Sequence, residues 1–466
     1  MPPMCPRSPA ARRHSGARGF PGLLLAGLIA LPLAGLPALT PAQASAGTAT
    51  DELEPLPRPL RLQHALEAVD AQHPRLREAR AQRKLAEQEL AGTRAGRDLS
   101  IDARLQARWV EPNDRAPDQR NNDSQAAVVA RKLLSDFGHS STREAAGEQQ
   151  VEAARQRETL AHARHRIQVM ERYFDVLLAD LAFARDTEAM AAAYVSKERA
   201  EERHQLGQVS EIEVFRLEAE YQTLRVQRQR ALQTQRRARA ELAEALNRPQ
   251  ETLRDVLAPA LPLDLPELPP LEELLEEVDT GSPLLTAERR QVEAASRQVE
   301  AARAQRRPRL YAEAEAGYWN RQYGGDRNDF AGGLVLEVPL YEGRRHDSRV
   351  GQALATRQHA EAGLGQARIE ARNRLRELYH EAEALQVQRD EAAWRMDYRE
   401  LYIDRARYLY DIEDQADLGD SMVQQSAAAF FNARTELELA MTYERLALLT
   451  GRPDLSPFAT AAATTE

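Results

Sequence analysis

His162 and His165 are the residues of this chain whose type and spacing could most readily do chemistry. Three apart on a helix, two imidazoles share a face and could ligate a borderline transition metal. No cysteine or carboxylate cluster joins them to complete a ligand set, and histidines on a polar helix face are commonly just solvated. Carboxylates gather elsewhere, at Asp411, Asp417 and Asp420. Taken alone, these are a solvated acidic helix end. There is no nucleophile motif, phosphate-cradling glycine loop or zinc signature. An enzymatic role has nothing to rest on, and neither a cofactor nor a metal site is expected.

The surrounding chain is hydrophilic and suited to helices. Its 466 residues are 29% charged and 42% apolar, with only 5% aromatics. That length suggests two or three domains. Arg7, Arg12, Arg13 and Arg18 precede the apolar run Leu23 to Leu39, and Ala42-Gln43-Ala44 offers a small-x-small cleavage site. Residues 1–44 are therefore expected to be a secretory signal peptide. Arg12-Arg13 leaves a twin-arginine alternative open, without a strong consensus around it. The single cysteine, Cys5, lies upstream of the apolar run, so it is not the lipidated residue of a mature N-terminus. The mature chain is then free of disulfides. It keeps 59 basic against 72 acidic residues, a net charge of −13, which disfavours nucleic acid as a partner. No later apolar run approaches the roughly 20 residues of a membrane helix. Entry into a membrane would have to be as strands.

The chain repeats itself. Leu62, Val69, Asp70, Pro74 and Leu76 recur 209 residues later as Leu271, Val278, Asp279, Pro283 and Leu285. Arg248-Pro249 recurs 204 residues later as Arg452-Pro453. Such a period is too long for a solenoid and indicates a duplicated domain. The expected organisation is an extended lead-in over 45–59, a first repeat over 60–255, a proline-rich linker over 256–270, a second repeat over 271–453, and a disordered tail over 454–466.

Each copy changes from helical to strand periodicity. Leu99, Ile101, Ala103, Leu105, Ala107 and Trp109 alternate with Ser100, Asp102, Arg104, Gln106 and Arg108. This is period two, near the 9–11 residues of a strand that crosses a bilayer. Strands are expected at about 99–110 and 125–134. In the second copy they are expected at about 310–319 and 330–340, where Phe330, Gly332, Leu334, Leu336, Val338 and Leu340 share a face. Leu99, Ile101, Leu105, Trp109, Leu334, Leu336 and Val338 are the expected lipid-facing set. Trp109 and Tyr318 sit at matching strand ends, as in an aromatic girdle. The alternative is a pair of soluble hairpins with one wet face.

Long helices follow the strands. Leu160, Ala163, Ile167, Met170, Phe174, Leu177, Leu181 and Ala184 step by three and four along a proline-free stretch from about Ser141 to Leu206. Ala371, Leu375, Leu378, Ala382 and Leu385 keep the same rhythm in a helix expected from about Asp347 to Tyr410. These narrow stripes predict coiled-coil seams. Breaks are expected near 207–210 and 411–414, with return helices over 211–246 and 415–449. Four strands cannot close a barrel, and lipid does not tolerate open edges. Two chains would make a filled eight-strand barrel, and three chains a twelve-strand conduit.

The ordered set of motifs resembles the TolC family of outer-membrane efflux and secretion channels. The resemblance rests on Ala65 to Arg80 around His73-Pro74, on Leu133-Leu134-Ser135-Asp136-Phe137-Gly138, on Val338-Pro339-Leu340-Tyr341-Glu342-Gly343, and on the closing Arg-Pro pairs. It runs from about Leu60 to Pro453. It implies a mostly α fold with a small β part. In it, a duplicated helix, hairpin, long helix and helix unit assembles as a homotrimer. The trimer would form a twelve-strand outer-membrane barrel continued by a periplasmic coiled-coil barrel. It implies two protein partners, a periplasmic adaptor and an inner-membrane pump of the RND or ABC type, with outer-membrane lipid around the strands.

The resemblance also implies a periplasmic gate at Tyr408, Asp417, Asp420 and Glu213. The implied adaptor-docking tips are Leu206, Gly207 and Gln208 in one copy and Tyr410, Asp411 and Ile412 in the other. Asp411 replaces an expected glycine and Glu413 an expected basic residue, so the latch is wired differently here. The expected function is a passive trimeric exit duct of a tripartite efflux or type I secretion system, in the outer membrane with a large periplasmic part. A poreless coiled-coil envelope protein is the alternative. Drug, metal and polypeptide cargoes are equally compatible with the duct.

Overall fold

The structure, a computed structural model, describes residues 56–69, 72–251, 253–261, 265–320, 329–413 and 418–458. The expected signal peptide and most of the loop before Asp329 lie outside these. The first copy holds α1 (Leu62–Glu67), α2 (Pro74–Ala95), β1 (Leu99–Gln106), β2 (Gln125–Ser135), α3 (His139–Gln205) and α4 (Glu211–Ala245). The second holds α5 (Leu271–Gly281), α6 (Pro283–Ala304), β3 (Arg309–Trp319), β4 (Phe330–Glu337), α7 (Arg345–Glu413) and α8 (Leu418–Thr450).

Local chemistry sets the element ends. Pro74 and Pro283 open α2 and α6 at the position where a helix needs no amide. Asn247 and Gly451, both at positive φ, close α4 and α8. The next residue of each, Arg248 or Arg452, donates its amide back to the Ala243 or Ala447 carbonyl at 2.8 and 3.0 Å. The repeated Arg-Pro pairs are therefore the same helix stop used twice. Between β2 and α3, Phe137 and Gly138 turn through positive φ. The Asp136 carboxylate accepts the Ser140 amide at 2.7 Å. Burial pushes the pKa of that carboxyl up, but the Ser140 hydrogen bonds hold it below its ordinary value.

The long helices α3 and α7 have 67 and 69 residues, each about 100 Å of helix. On one flank α3 packs on α2 and α4. On its other flank α6 and α8 fill the space between α3 and α7. The four strands form one antiparallel sheet in the order β1-β2-β3-β4.

Two cores flank the joints between helices. In the first, Met170, Tyr173, Phe174, Leu242 and Leu246 pack with Leu60 and Leu62. The Tyr173 hydroxyl donates to the Leu257 carbonyl at 2.5 Å and lies 2.9 Å from the Leu60 carbonyl. It thus pins the parallel bridge between Leu60 and Val256. In the second, Leu274, Leu285, Leu375, Leu378, Leu439, Tyr443 and Leu446 pack together.

Several expectations need correction. Of the expected stripe of α3, Leu160, Met170, Phe174 and Leu177 are buried, Ala163, Ile167 and Leu181 are half-buried and Ala184 is exposed, while Val169, Tyr173 and Val176 are buried as well. The lead-in and linker strap this stretch, so a narrow seam widens into a belt. The tail begins ordered: Leu455 is buried in a 3-10 turn, Pro453–Leu455, and Phe458 packs against the first core. Helix α7 does not stop at Tyr410 but continues through Glu413. Asp411, with a Cβ, does not favour the left-handed turn that a glycine would allow.

Candidate functional site

Register across the four strands builds one continuous apolar face from both copies. Leu99, Ile101, Ala103 and Leu105 pair with Lys132, Ala130, Val128 and Ala126. Those four pair in turn with Ala312, Ala314, Ala316 and Tyr318. Ala312 and Ala316 pair with Leu334 and Phe330, and Leu310 pairs with Leu336. Partners directly opposite in an antiparallel sheet point to the same side. Leu105 is 82% exposed, and Ile101, Tyr318, Phe330, Leu334 and Leu336 are exposed with it. An apolar band this continuous marks a membrane or protein surface. Lys132, at the helix-side end of the sheet, is the one charge on this face, and its long stem can carry the ammonium to a membrane surface.

The opposite face is polar and tighter. Ala127 and Val129 are buried there. The Arg131 guanidinium pairs with Glu337 across two strands and lies 3.9 Å from the Tyr311 ring centroid. Of the expected lipid-facing residues, Trp109 and Val338 fall beyond the strand ends. Trp109 is exposed and forms an isolated bridge with Asn122. Val338 follows the last residue of β4.

At the far helix ends, Gly207 takes φ +71° and closes α3. The Gly207 amide donates to the His204 carbonyl and the Gln208 amide to the Arg203 carbonyl, both at 2.8 Å. This turn exposes Leu206. Ser210 then caps α4 by accepting the Glu213 amide at 3.4 Å. Glu213 is not a bare carboxylate. Arg216 donates to it at 2.8 and 3.1 Å and holds its pKa below the usual carboxylate range. Arg216 also pairs with Glu220 at 3.1 Å. Tyr408 is exposed near the end of α7, and Asp420 stands in the first turn of α8. Tyr410, Asp411 and Ile412 fall in the last turns of α7. Asp417 lies outside the described residues.

Of the two candidate histidines, His162 is half-buried and His165 turns into the core. His165 is buried and stacks on His73, with ring centroids 4.1 Å apart. Among the described residues, no group of three or more His, Cys, Asp or Glu could hold a metal ion.

One surface escaped the sequence reading. Val387, Trp394, Leu401 and Tyr408 recur every seventh residue on α7, all exposed, and Trp394 is 77% exposed. They lie opposite the buried seam of Leu385, Ala392 and Ile403. At 100° per residue, Trp394 stands about 180° from Leu385. The heptad spacing was legible, but it was masked by the stronger seam on the opposite face. On the other flank of the chain, Leu85 of α2 and Ile212, Phe215 and Val226 of α4 are also exposed.

Residues 274–452 match the family model described as outer membrane efflux protein. No curated protein matches the chain in sequence. The fold is that of several solved outer-membrane channels. The CmeC outer membrane channel of Campylobacter jejuni is 16% identical at a TM-score of 0.69, covering 84% of this chain and 85% of that one. The outer membrane protein VceC of Vibrio cholerae is 19% identical at 0.65, covering 84% and 96%. The MtrE outer membrane channel of Neisseria gonorrhoeae, in its open state, is 18% identical at 0.63, covering 85% and 90%. The family model matched over 274–452 is of outer membrane efflux proteins, and the matched folds are of outer-membrane channels.

Proposed function

We propose that this chain is an outer-membrane channel subunit of the family whose model its second copy matches, and that its working unit is a ring of three. One observation carries this reading. Every layer of the chain ends in an unpartnered side. In the sheet, β1 and β4 each pair on one side only. In the helices, α7 shows its second apolar stripe on one flank, while α2 and α4 show exposed apolar residues on the other. A rotation that sets β4 against the next β1 also sets α7 against the next α2 and α4. Unlike surfaces that meet this way close into a ring. Three copies give twelve strands, wide enough for a conduit, where two copies would give a filled barrel.

In this ring the apolar face contacts outer-membrane lipid and the Arg131 face lines the lumen. The helices extend into the periplasm. Tyr408, on the open flank of α7, faces the neighbouring α4, where Glu213 stands. Asp417 and Asp420 repeat around the far opening as carboxylate rings and form the gate with Tyr408 and Glu213. The tips at Leu206, Gly207 and Gln208 and at Tyr410, Asp411 and Ile412 dock a periplasmic adaptor. An inner-membrane pump of the RND or ABC class supplies the energy. The duct itself is passive.

The test is mass in mild detergent. Wild type runs as a trimer, and Trp394→Glu with Leu401→Glu shifts it to monomer while helix content by circular dichroism is kept. A wild-type monomer or dimer would overturn the reading.

A further inference from the structure

Where the two copies join, the N-terminus of α6 opens into a cleft of about 290 Å3. The cleft is near the small end of the range for ligand pockets. It is lined by α3, α6, α7 and α8 of a single chain, so it exists in each subunit whatever ring the subunits form. Its apolar floor comes from all four helices and includes Leu160, Leu284, Leu378 and Leu448. Arg164, Arg374 and Arg445 stand around that floor, with Glu171 as the only acid of the lining. Glu171 is taken up by Arg445, and Arg374 pairs with Glu377 at 3.0 Å. No acid answers Arg164 among the described residues.

Two features show that this end is set up for an anion. First, Ser282 is 1% exposed, lines the cleft, and its hydroxyl has no hydrogen-bond partner among the described residues. Second, Ser282 is the cap residue of α6 yet makes no side-chain capping bond. The amides of Leu284 and Leu285 are ones that a helix start leaves without an intrahelical acceptor, at the positive end of the helix dipole. The first copy treats the matching place differently. His73, 209 residues earlier, accepts the Arg75 amide on its Nδ1 at 3.3 Å, so α2 is capped from within. In the second copy a ligand can supply the acceptor that the chain does not.

We propose that this cleft binds a small amphipathic monoanion, a carboxylate or sulfonate on a short alkyl or ring body. The body covers the leucine floor. The head satisfies the Ser282 hydroxyl and the α6 amides, and is held by Arg164 and Arg374. A fully polar anion would leave the floor wet, and a neutral alcohol would leave the arginines unanswered. The class of ligand therefore follows from the two halves of the lining together.

The probe is octanoate, titrated calorimetrically into the full-length protein after transfer from detergent to amphipol. Wild type should bind one octanoate per chain, saturably. Octan-1-ol should bind at least tenfold more weakly. Arg164→Gln with Arg374→Gln should weaken octanoate at least tenfold with oligomeric mass unchanged, and Leu284→Trp should fill the cleft and abolish saturable binding. No saturable binding by wild type, equal binding of acid and alcohol, or an unchanged affinity in the double arginine variant would each overturn the proposal. Should Leu284→Trp fail to fold, the arginine variant, which touches only partly exposed side chains, still decides the matter.

Discussion

Gly281 and Gly451 meet back to back where α5 and α8 end. A β-carbon on Gly451 would lie 2.7 Å from the Gly281 carbonyl oxygen, and one on Gly281 would lie 2.8 Å from that of Thr450. Two helix ends from opposite termini of the second copy can approach this closely only because neither residue has a side chain. The contact brings the end of α8 against the start of α6, and so shapes the joint at which Ser282 is buried.

Gly451→Ala should therefore be more damaging than Gly207→Ala, although both residues sit at positive φ. Around Gly207 there is open space, so only the backbone conformation is penalised, at about 1–2 kcal/mol. At Gly451 an overpacking cost of about 1–3 kcal/mol adds to it. Thermal unfolding followed by circular dichroism separates the two, and equal midpoints would contradict the close contact.

Acid should destabilise the first core through His165. Burial, and then the neighbouring His73, push its pKa down from the ordinary 6.5 to about 4. The unfolded chain takes up this proton at the higher pH, so the folded state loses stability as pH falls from about 6.5 to about 4 and loses no more through this group below that. The stability is fully present above 6.5. Its size is at most about 3 kcal/mol. His165→Phe should flatten this part of the stability profile in thermal melts between pH 4 and 7.

The apolar sheet face should reject charge according to depth. Ile101→Arg, near the middle of β1, should reduce stability by about 2–4 kcal/mol. Leu105→Arg, one residue from the strand end, should cost less. Gln106→Arg, on the other face, should be tolerated. Yields of folded oligomer inserted into outer membranes give the order, and a Gln106 variant as poor as the Ile101 variant would reverse the faces.

The proposed acidic gate should make the closed channel cation-selective, because rings of carboxylates attract cations and hold back anions. Polyvalent cations should plug it. Asp417→Asn with Asp420→Asn should lower that selectivity and remove the plugging without dissociating the ring. Single-channel conductance in planar bilayers measures both, and unchanged block would place the constriction elsewhere along the tube.

The sequence by itself determined whatever is written within a few residues. Alternation of side chains specified the strands, steps of three and four specified the helices, and Gly207 specified where α3 stops. Duplication was legible because the same local signals recur in the same order. What only the tertiary structure decided involves partners far apart in the chain. Register alone placed Lys132 opposite Leu99 and Ala312 on the apolar face. His165 found His73 rather than His162, because α2 folds back along α3. The belt around Tyr173 widened because Leu60 and Leu257 are strapped over it. On α7, two apolar stripes run on opposite faces, and only packing showed that α8 takes one and leaves Trp394 bare. A periodic pattern shows which side chains share a face. The neighbour that covers the face is set by chain folding over distances that the pattern does not reach.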